Sequence, residues 1–504
     1  MIHPTAAARA SRYGLALVLS VALAVRLWIV ATHTYIVWPD ETFQYLEPAH
    51  RLAFGSGVIT WEFLDGIRSW LLPGVLAGVM RVAALFGDEP DFYIVPIRLL
   101  CVLASLSIPY VGYRLAARRY GSVSGLLAGL LCALSSEAVY FAPTILTEPL
   151  ATDAALLAIW RGDSAADHAR PRRRRLLAGL LFGLAASLRW QYAPVLALVA
   201  LAQHGRRPRD LLTVVAGGIA VVVPALGVLD WLTWGTPFQS VWLNFLRNAA
   251  QGVSGAMGTQ SWWYYAMYYV VAWGLLASPL LALALYGAAR APVLGLVVLA
   301  TIALHTLSAH KELRFVFLAT ACMPMLVGIG LGGVLQRLPR FRAPLPGTAM
   351  ALVLALVIAG ATAASTYARA TPGDAWDRDR SMLRAFAAAR ATPNACALAV
   401  RTIWVYRSGG YTYWHRDLPL YFETWDQAQH LDTSRFRLRL AEELDRQPVA
   451  QYPGAALAAH ADRFNVMVGT DGDGLPGFVR TSCFGDGSPA DPTYCVFVRP
   501  GGCA

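Results

Sequence analysis

Apolar runs of about 17–25 residues, separated by short arginine-bearing loops, fill the chain from Tyr13 to about residue 367. That length matches a helix crossing ~30 Å of hydrocarbon. Spans are predicted at 13–31, 96–117, 121–140, 145–160, 211–229, 263–287, 291–308, 315–335 and 348–367. The run from Trp70 to Phe86 is apolar but short and broken by Pro73 and Gly74, so it predicts a helix lying at the membrane interface. Leu176 to Gln203 would measure ~42 Å as one helix, too long for an upright crossing. Two short helices meeting near Arg189, Trp190 and Gln191 are predicted instead, and such breaks are tolerated only where they line a cavity or are buried in protein. Beyond residue 367 the pattern becomes mixed and punctuated by Pro and Gly; 397–406 and 494–499 suit strands and 381–390 a helix. The expected fold is an all-α polytopic membrane domain, 1–367, of about eleven transmembrane helices. It carries interfacial helices in a first outer loop, 31–95, and is followed by a small C-terminal extracytoplasmic α/β domain, 368–504.

Composition agrees. Of 504 residues, 56% are apolar and 14% charged, where a soluble protein carries about a quarter charged. The net charge of +11 would suggest nucleic acid in a soluble domain. Here the arginines (Arg114, Arg118, Arg119; Arg172 to Arg175; Arg206, Arg207, Arg209; Arg337, Arg340, Arg342) sit in short loops, so they read as orientation signals and a nucleic-acid partner is not expected. Arg9 and Arg12 place the N-terminus in the cytoplasm, with the first run an anchor and not a cleaved leader. One lysine against forty-one arginines, with much Ala and Gly, fits a GC-rich bacterial genome, hence an inner-membrane protein with its site and C-terminal domain extracytoplasmic. Cys101, Cys132 and Cys322 fall in spans as small apolar residues. Cys396, Cys483, Cys495 and Cys503 fall in the outer domain, where disulfides form, and three pairings are open.

Two polar constellations fall on the expected outer face, at one aqueous mouth. The first is Trp38-Pro39-Asp40-Glu41-Thr42-Phe43-Gln44-Tyr45-Leu46-Glu47, with His50, Trp61, Glu62 and Arg68 after it. Asp40, Gln44 and Glu47 share a helix face, and an ionised Asp40 can take a proton from an attacking hydroxyl. The bland alternative is a capped helix start after Pro39. The second is His310-Lys311-Glu312-Leu313-Arg314-Phe315, whose cations suit a phosphate diester. Such a cluster opposes the positive-inside bias, and Lys311 is the only lysine. Its alternative is a snorkelling pair with Glu312 as counter-charge. Arg189, at the helix break, joins the phosphate contacts, and Glu148 is a lesser candidate.

The Pro39-Asp40-Glu41 element with Phe43-Gln44 and Glu47, then Gly55-x-Gly57, Thr60-Trp61-Glu62 and Arg68-Ser69, resembles the C-type glycosyltransferases (GT-C), and within them the family 22 mannosyltransferases. His310-Lys311-Glu312-x-Arg314-Phe315 is similar to that family's H-K-E-x-R-F element, and the resemblance covers residues 10–340. The chain departs from the pattern at Trp38, where the family carries His. The resemblance implies a GT-C-like fold and an inverting transferase. It would move a sugar, mannose, from a polyprenyl-phosphate donor to a lipid- or glycan-linked acceptor. It implies Asp40 as the catalytic base and His310, Lys311 and Arg314 as donor-phosphate contacts; beside these, Glu41 is expected at the catalytic position, Arg189 among the phosphate contacts, and Gln44, Glu47, Trp61, Glu62 and Arg68 as substrate contacts. No metal or other cofactor is expected. The rivals are a lipid-linked-sugar transporter or flippase and a non-catalytic glycan-assembly subunit.

Overall fold

The computed structural model describes residues 6–33, 36, 38–163, 170–342, 344–369, 379–424, 449–451, 455–488 and 492–503. They form two compact units. One comprises Met1–Val30, Arg98–Gly227 and Asn244–Ala370; the other comprises Ala31–Ile97, Val228–Leu243 and Thr371–Ala504. Residues 31–97 thus group with the C-terminal segment, not with the helices of the first unit.

The first unit is helical. Among the described residues of the whole chain, six stretches are long and apolar enough to cross a membrane: Arg12–Thr32, Pro90–Leu134, Pro208–Trp234, Tyr264–Arg290, Leu313–Leu335 and Pro346–Thr366. Within Pro90–Leu134 the chain leaves helical geometry at Gly121, φ +83°. Residues beyond Gly121 fold back on those before it, since a Cβ on Gly125 would lie 2.7 Å from Ala117 Cβ and one on Gly112 2.7 Å from Cys132 Sγ. Small residues make the other close approaches too: a Cβ on Gly179 would meet the Val214 carbonyl at 2.1 Å, and one on Gly287 the Leu326 carbonyl at 2.0 Å. Helices in a bilayer associate through such contacts, because lipid supplies no hydrophobic drive between them. The expected break is present. Helix Pro171–Leu188 stops at Arg189 (φ −140°, ψ 87°), a short turn Trp190–Tyr192 follows, and Ala193–His204 resumes. The run 263–287, read as one helix, is instead interrupted at Gly274, whose φ of +54° suits glycine.

Arg26, inside the first apolar run, is fully buried. Its guanidinium donates to Ser105 Oγ at 3.0 Å and to the carbonyls of Ala22 and Ala133 at 3.1 and 3.0 Å. It therefore ties its own helix to two others.

In the second unit a six-stranded sheet runs β3-β2-β1-β4-β6-β5 among the described residues, from β1 (Leu398–Trp404), β2 (Leu420–Thr424), β3 (Val449–Gln451), β4 (Val466–Thr470), β5 (Val479–Phe484) and β6 (Tyr494–Val498). The β3-β2-β1-β4 part is parallel, while β6 and β5 add antiparallel. Met382, Phe386 and Ala389 of helix Arg380–Arg390 pack on Leu398, Val400, Val466 and Val496. Ile36, Phe43 and Val58, from the loop after the first apolar helix, enter the same core. Burying their apolar surface there is what commits the loop to this unit. Of the three open pairings the disulfides are Cys396–Cys503 and Cys483–Cys495. Helix Leu71–Ala83 presents Val75 and Val82 outward, with Leu85 and Phe86 exposed just after it, the apolar face expected of an interfacial helix.

Candidate active site

In the second unit, Asp40 opens a π-helical turn, Glu41–Leu46, and its side chain makes no capping bond. π-Turns are rare and concentrate at functional sites. Asp40 is half-buried, whereas Glu41 is buried with Oε1 accepting from the Trp38 amide at 3.4 Å. Gln44 donates through Nε2 to Glu62 Oε1 at 2.8 Å, and Arg68 lies 3.5 Å from the same oxygen. The Trp234 indole donates to the Arg68 carbonyl at 3.0 Å, and Trp61 stands at the start of the short helix Trp61–Leu64 that carries Glu62. Asp40, Gln44 and Glu62 therefore stand on connected backbone, with Gln44 and Arg68 gripping one carboxylate.

Glu47 has a different fate. It is fully buried, and its carboxylate accepts from the Val58 amide at 2.7 Å, the Thr412 amide at 2.6 Å and the Thr412 hydroxyl at 2.5 Å. Burial lifts its carboxyl to about 7 despite those donors. The two glycines of the Gly55-x-Gly57 element make this possible. Gly55 ends helix Glu47–Phe54 at φ +89°, and a Cβ on Gly57 would sit 2.2 Å from the Glu47 carbonyl. His50, also buried, donates from Nδ1 to the Ser56 carbonyl at 2.5 Å, and its Nε2 lies 2.8 Å from His415 Nδ1. Burial pushes its imidazole down to about 3. Glu47 and His50 thus join the loop of residues 31–95 to the C-terminal segment.

The first unit holds the cations. Arg189 Nη1 lies 3.1 Å from Glu148 Oε1, and Arg314 Nε lies 3.8 Å from the same oxygen. Arg314 Nε also bonds Glu312 Oε2 at 2.6 Å, and Glu312 Oε1 is 2.8 Å from His310 Nε2. The guanidiniums of Arg189 and Arg314 each stand about 5 Å from the Phe315 ring, at 5.1 and 5.2 Å, a cation–π distance. Burial works against the Glu312 charge, but Arg314 and His310 outweigh it and hold the carboxyl at about 2. The bond to Glu312 raises the His310 imidazole above its ordinary value. Lys311 is 5% exposed and donates to the carbonyls of Ser308 at 2.5 Å and Gln260 at 3.2 Å. Two fixed cations (Arg189, Arg314) thus face two carboxylates (Glu148, Glu312), His310 adds positive charge when protonated, and Lys311 is held by backbone carbonyls. Two guanidiniums converging on one buried carboxylate, with a protonatable histidine in the same network, are groups suited to binding an anion.

Residues 17–375 match the Alg9-like mannosyltransferase family. The chain belongs to that family. A GPI mannosyltransferase 3 from Yarrowia lipolytica is 32% identical over 310 residues, 60% of this chain and 59% of that protein. The Mus musculus GPI alpha-1,2-mannosyltransferase 3 is 26% identical over 291 residues, 55% of this chain and 52% of that protein. The chain matches between half and three-fifths of the length of these two curated relatives. Among solved structures, ArnT from Cupriavidus metallidurans bound to undecaprenyl phosphate superposes with a TM-score of 0.60, covering 96% of this chain and 97% of that one at 14% identity. The Archaeoglobus fulgidus oligosaccharyltransferase gives 0.53, at 13% identity, covering 81% of this chain and 63% of that one. The fold is that of the C-type glycosyltransferases, multi-pass membrane proteins.

The candidate residues therefore land in two units: Asp40, Glu41, Gln44, Glu47, Trp61, Glu62 and Arg68 in one, Arg189, His310, Lys311 and Arg314 in the other. Glu148, a lesser candidate in the sequence, is the anion on which both arginines converge. Its signal was present, since a carboxylate opening an apolar run (Thr147-Glu148-Pro149) asks for a partner. Arg26 had the same signal and went unread. Thr412 and His415 had none, because each meets its partner 365 residues away.

Proposed function

We propose that this chain is an inverting glycosyltransferase that moves mannose from a polyprenyl-phosphate donor to a hydroxyl of a lipid- or glycan-linked acceptor, on the extracytoplasmic side of a bacterial inner membrane. The observation that carries the reading is the buried Arg189–Glu148–Arg314–Glu312 network around Phe315, in a member of a mannosyltransferase family.

In this reaction the acceptor oxygen attacks the anomeric carbon from the face opposite the phosphate. Its proton passes to the Asp40 carboxylate. The bond between the anomeric carbon and the phosphate oxygen breaks, its electron pair staying on that oxygen, and the polyprenyl phosphate leaves with one more negative charge. Arg189 and Arg314 are the groups to meet that growing charge, since guanidiniums bind phosphate through paired N–H donors. Lys311 and His310 add positive potential. Gln44, Glu62 and Arg68 form a braced polar group that suits sugar hydroxyls, and Glu41 supports the turn that carries Asp40. A phosphate leaving group is a good one, so the chemistry makes no demand for a metal.

The deciding experiment is transfer from radiolabelled polyprenyl-phosphate mannose to glycolipids extracted from the native membrane. Asp40→Asn is expected to reduce transfer by roughly 10²–10⁴-fold, the range for loss of a general base, while donor binding persists. Undiminished product formation by Asp40→Asn would remove the base assignment.

A further inference from the structure

Helix Thr147–Asp163 of the first unit has arginines gathered at both ends. Glu148, at its start, belongs to the network described above, and Trp160 lies twelve residues on, roughly 18 Å along the axis. Around the buried Trp160 indole stand three guanidiniums, Arg161 at 4.6 Å from the ring centroid, Arg174 at 5.2 Å and Arg114 at 5.7 Å. Three separate helices supply them: Thr147–Asp163, Pro171–Leu188 and Ser107–Leu134.

Three like charges on one ring repel one another unless an anion joins them. Burial, and after it the charges of Arg161, Arg114 and Arg118, lower the Arg174 guanidinium below its ordinary value. The carboxylates described nearby are engaged elsewhere. Asp163 Oδ2 takes Arg118 at 3.0 Å, its Oδ1 lies 3.8 Å from Arg119, and Asp210 Oδ1 takes Arg175 at 2.9 Å. Among the described residues neither Arg114 nor Arg161 is hydrogen-bonded or ion-paired. Orientation across a bilayer asks for arginines somewhere in these loops, not for three on one ring. An indole engages the face of a guanidinium and leaves the N–H fork at its edge for an acceptor with several oxygens. A phosphate supplies them.

We infer that Arg114, Arg161 and Arg174 hold the phosphate of an anionic phospholipid, at the end of this helix remote from Glu148. Arg114 is exposed and Arg161 and Arg174 are half-buried, so a head group can reach all three. Leu176 and Leu184, on the helix that carries Arg174, are exposed, so an acyl chain finds apolar surface beside the cluster.

Purified protein in neutral detergent is titrated with phosphatidylglycerol and with phosphatidylcholine of the same acyl chains, and bound lipid is counted by native mass spectrometry. No sugar donor is present, so the outcome is independent of the transfer reaction. The first phosphatidylglycerol is expected to bind roughly tenfold more tightly than the first phosphatidylcholine, the scale of one charge-assisted contact. Arg161→Gln with Arg174→Gln is expected to erase that preference. Arg206→Gln with Arg207→Gln removes the same charge from an exposed pair elsewhere in the basic loops and is expected to keep it. Arg114→Gln, at an exposed position, is expected to weaken phosphatidylglycerol alone, and it stands in should the first double variant not fold. Millimolar glycerol 3-phosphate, a soluble phosphate ester, is expected to leave the lipid bound. Equal binding of the two lipids by the wild type, equal loss in the two double variants, an unchanged preference in Arg114→Gln, or displacement by glycerol 3-phosphate would each overturn the proposal.

Discussion

Glu148 Oε1 is shared by two guanidiniums that would otherwise repel each other, and this sets what its removal does. Without the carboxylate, Arg189 and Arg314 gain net attraction for a phosphate but lose the anchor that aims them. Glu148→Ala is therefore expected to leave the donor KM unchanged or lower while kcat falls about 10²-fold, the scale of a misplacement of roughly 1 Å. Glu148→Gln, which keeps an acceptor for Arg189, is expected to recover part of that loss. A raised KM with kcat intact would show that Glu148 contacts the donor instead of positioning the arginines. The two variants separate the anchoring bond from the charge, which is the distinction between a positioning residue and a simple electrostatic one.

Local spacing was legible up to the point where the helix type changed. Asp40, Gln44 and Glu47 share one face by α-helical spacing, but the π-turn Glu41–Leu46 reorients the side chains along and beyond it, and Gln44 goes to Glu62 while Glu47 goes to Thr412. The break at Arg189 was legible because a twenty-eight-residue, mostly apolar run exceeds one membrane thickness. The role of Gly57 was not, because the Glu47 carbonyl it admits is visible only in three dimensions. This element also makes a pH prediction. The Glu47 carboxyl is raised from 4.5 to about 7, so its protonated form favours the fold. That contribution is fully present below 4.5 and is lost as pH rises through about 7, a span worth up to about 3 kcal/mol. His50 acts oppositely, since its lowered imidazole costs stability as pH falls below 6.5. Comparing thermal melting of wild type and Glu47→Gln cancels the histidine. Whatever the offset, the melting temperature of wild type relative to the variant is expected to fall as pH rises from about 4.5 to about 7. A relative stability that rises over that range would reverse the sign and remove the assignment.

At the scale of the molecule, the apolar runs and the shift to strands after residue 367 were readable because membrane thickness and pleat impose fixed lengths on sequence. The grouping of residues 31–97 with the C-terminal segment was not, since it rests on a shared core drawn from distant parts of the chain. Disulfide pairing was hidden for the same reason. Cys483 faces Cys495 only because β5 and β6 pair in that register, and Cys396 and Cys503 lie outside the ends of β1 and β6. These bonds now provide a test of sidedness on the unaltered protein. The remaining thiols, Cys101, Cys132 and Cys322, are buried, so all four reactive positions reside in one segment. A reducing cytoplasm would open the bonds, whereas the periplasmic side preserves them. In spheroplasts, a membrane-impermeant maleimide is expected to leave the folded protein unlabelled until an impermeant reductant is added, and then to label it without lysis. Labelling only after lysis, with no reductant needed, would put the C-terminal segment in the cytoplasm. The extracytoplasmic assignment of the transfer reaction would fall with it, because Asp40 shares that segment's compact unit.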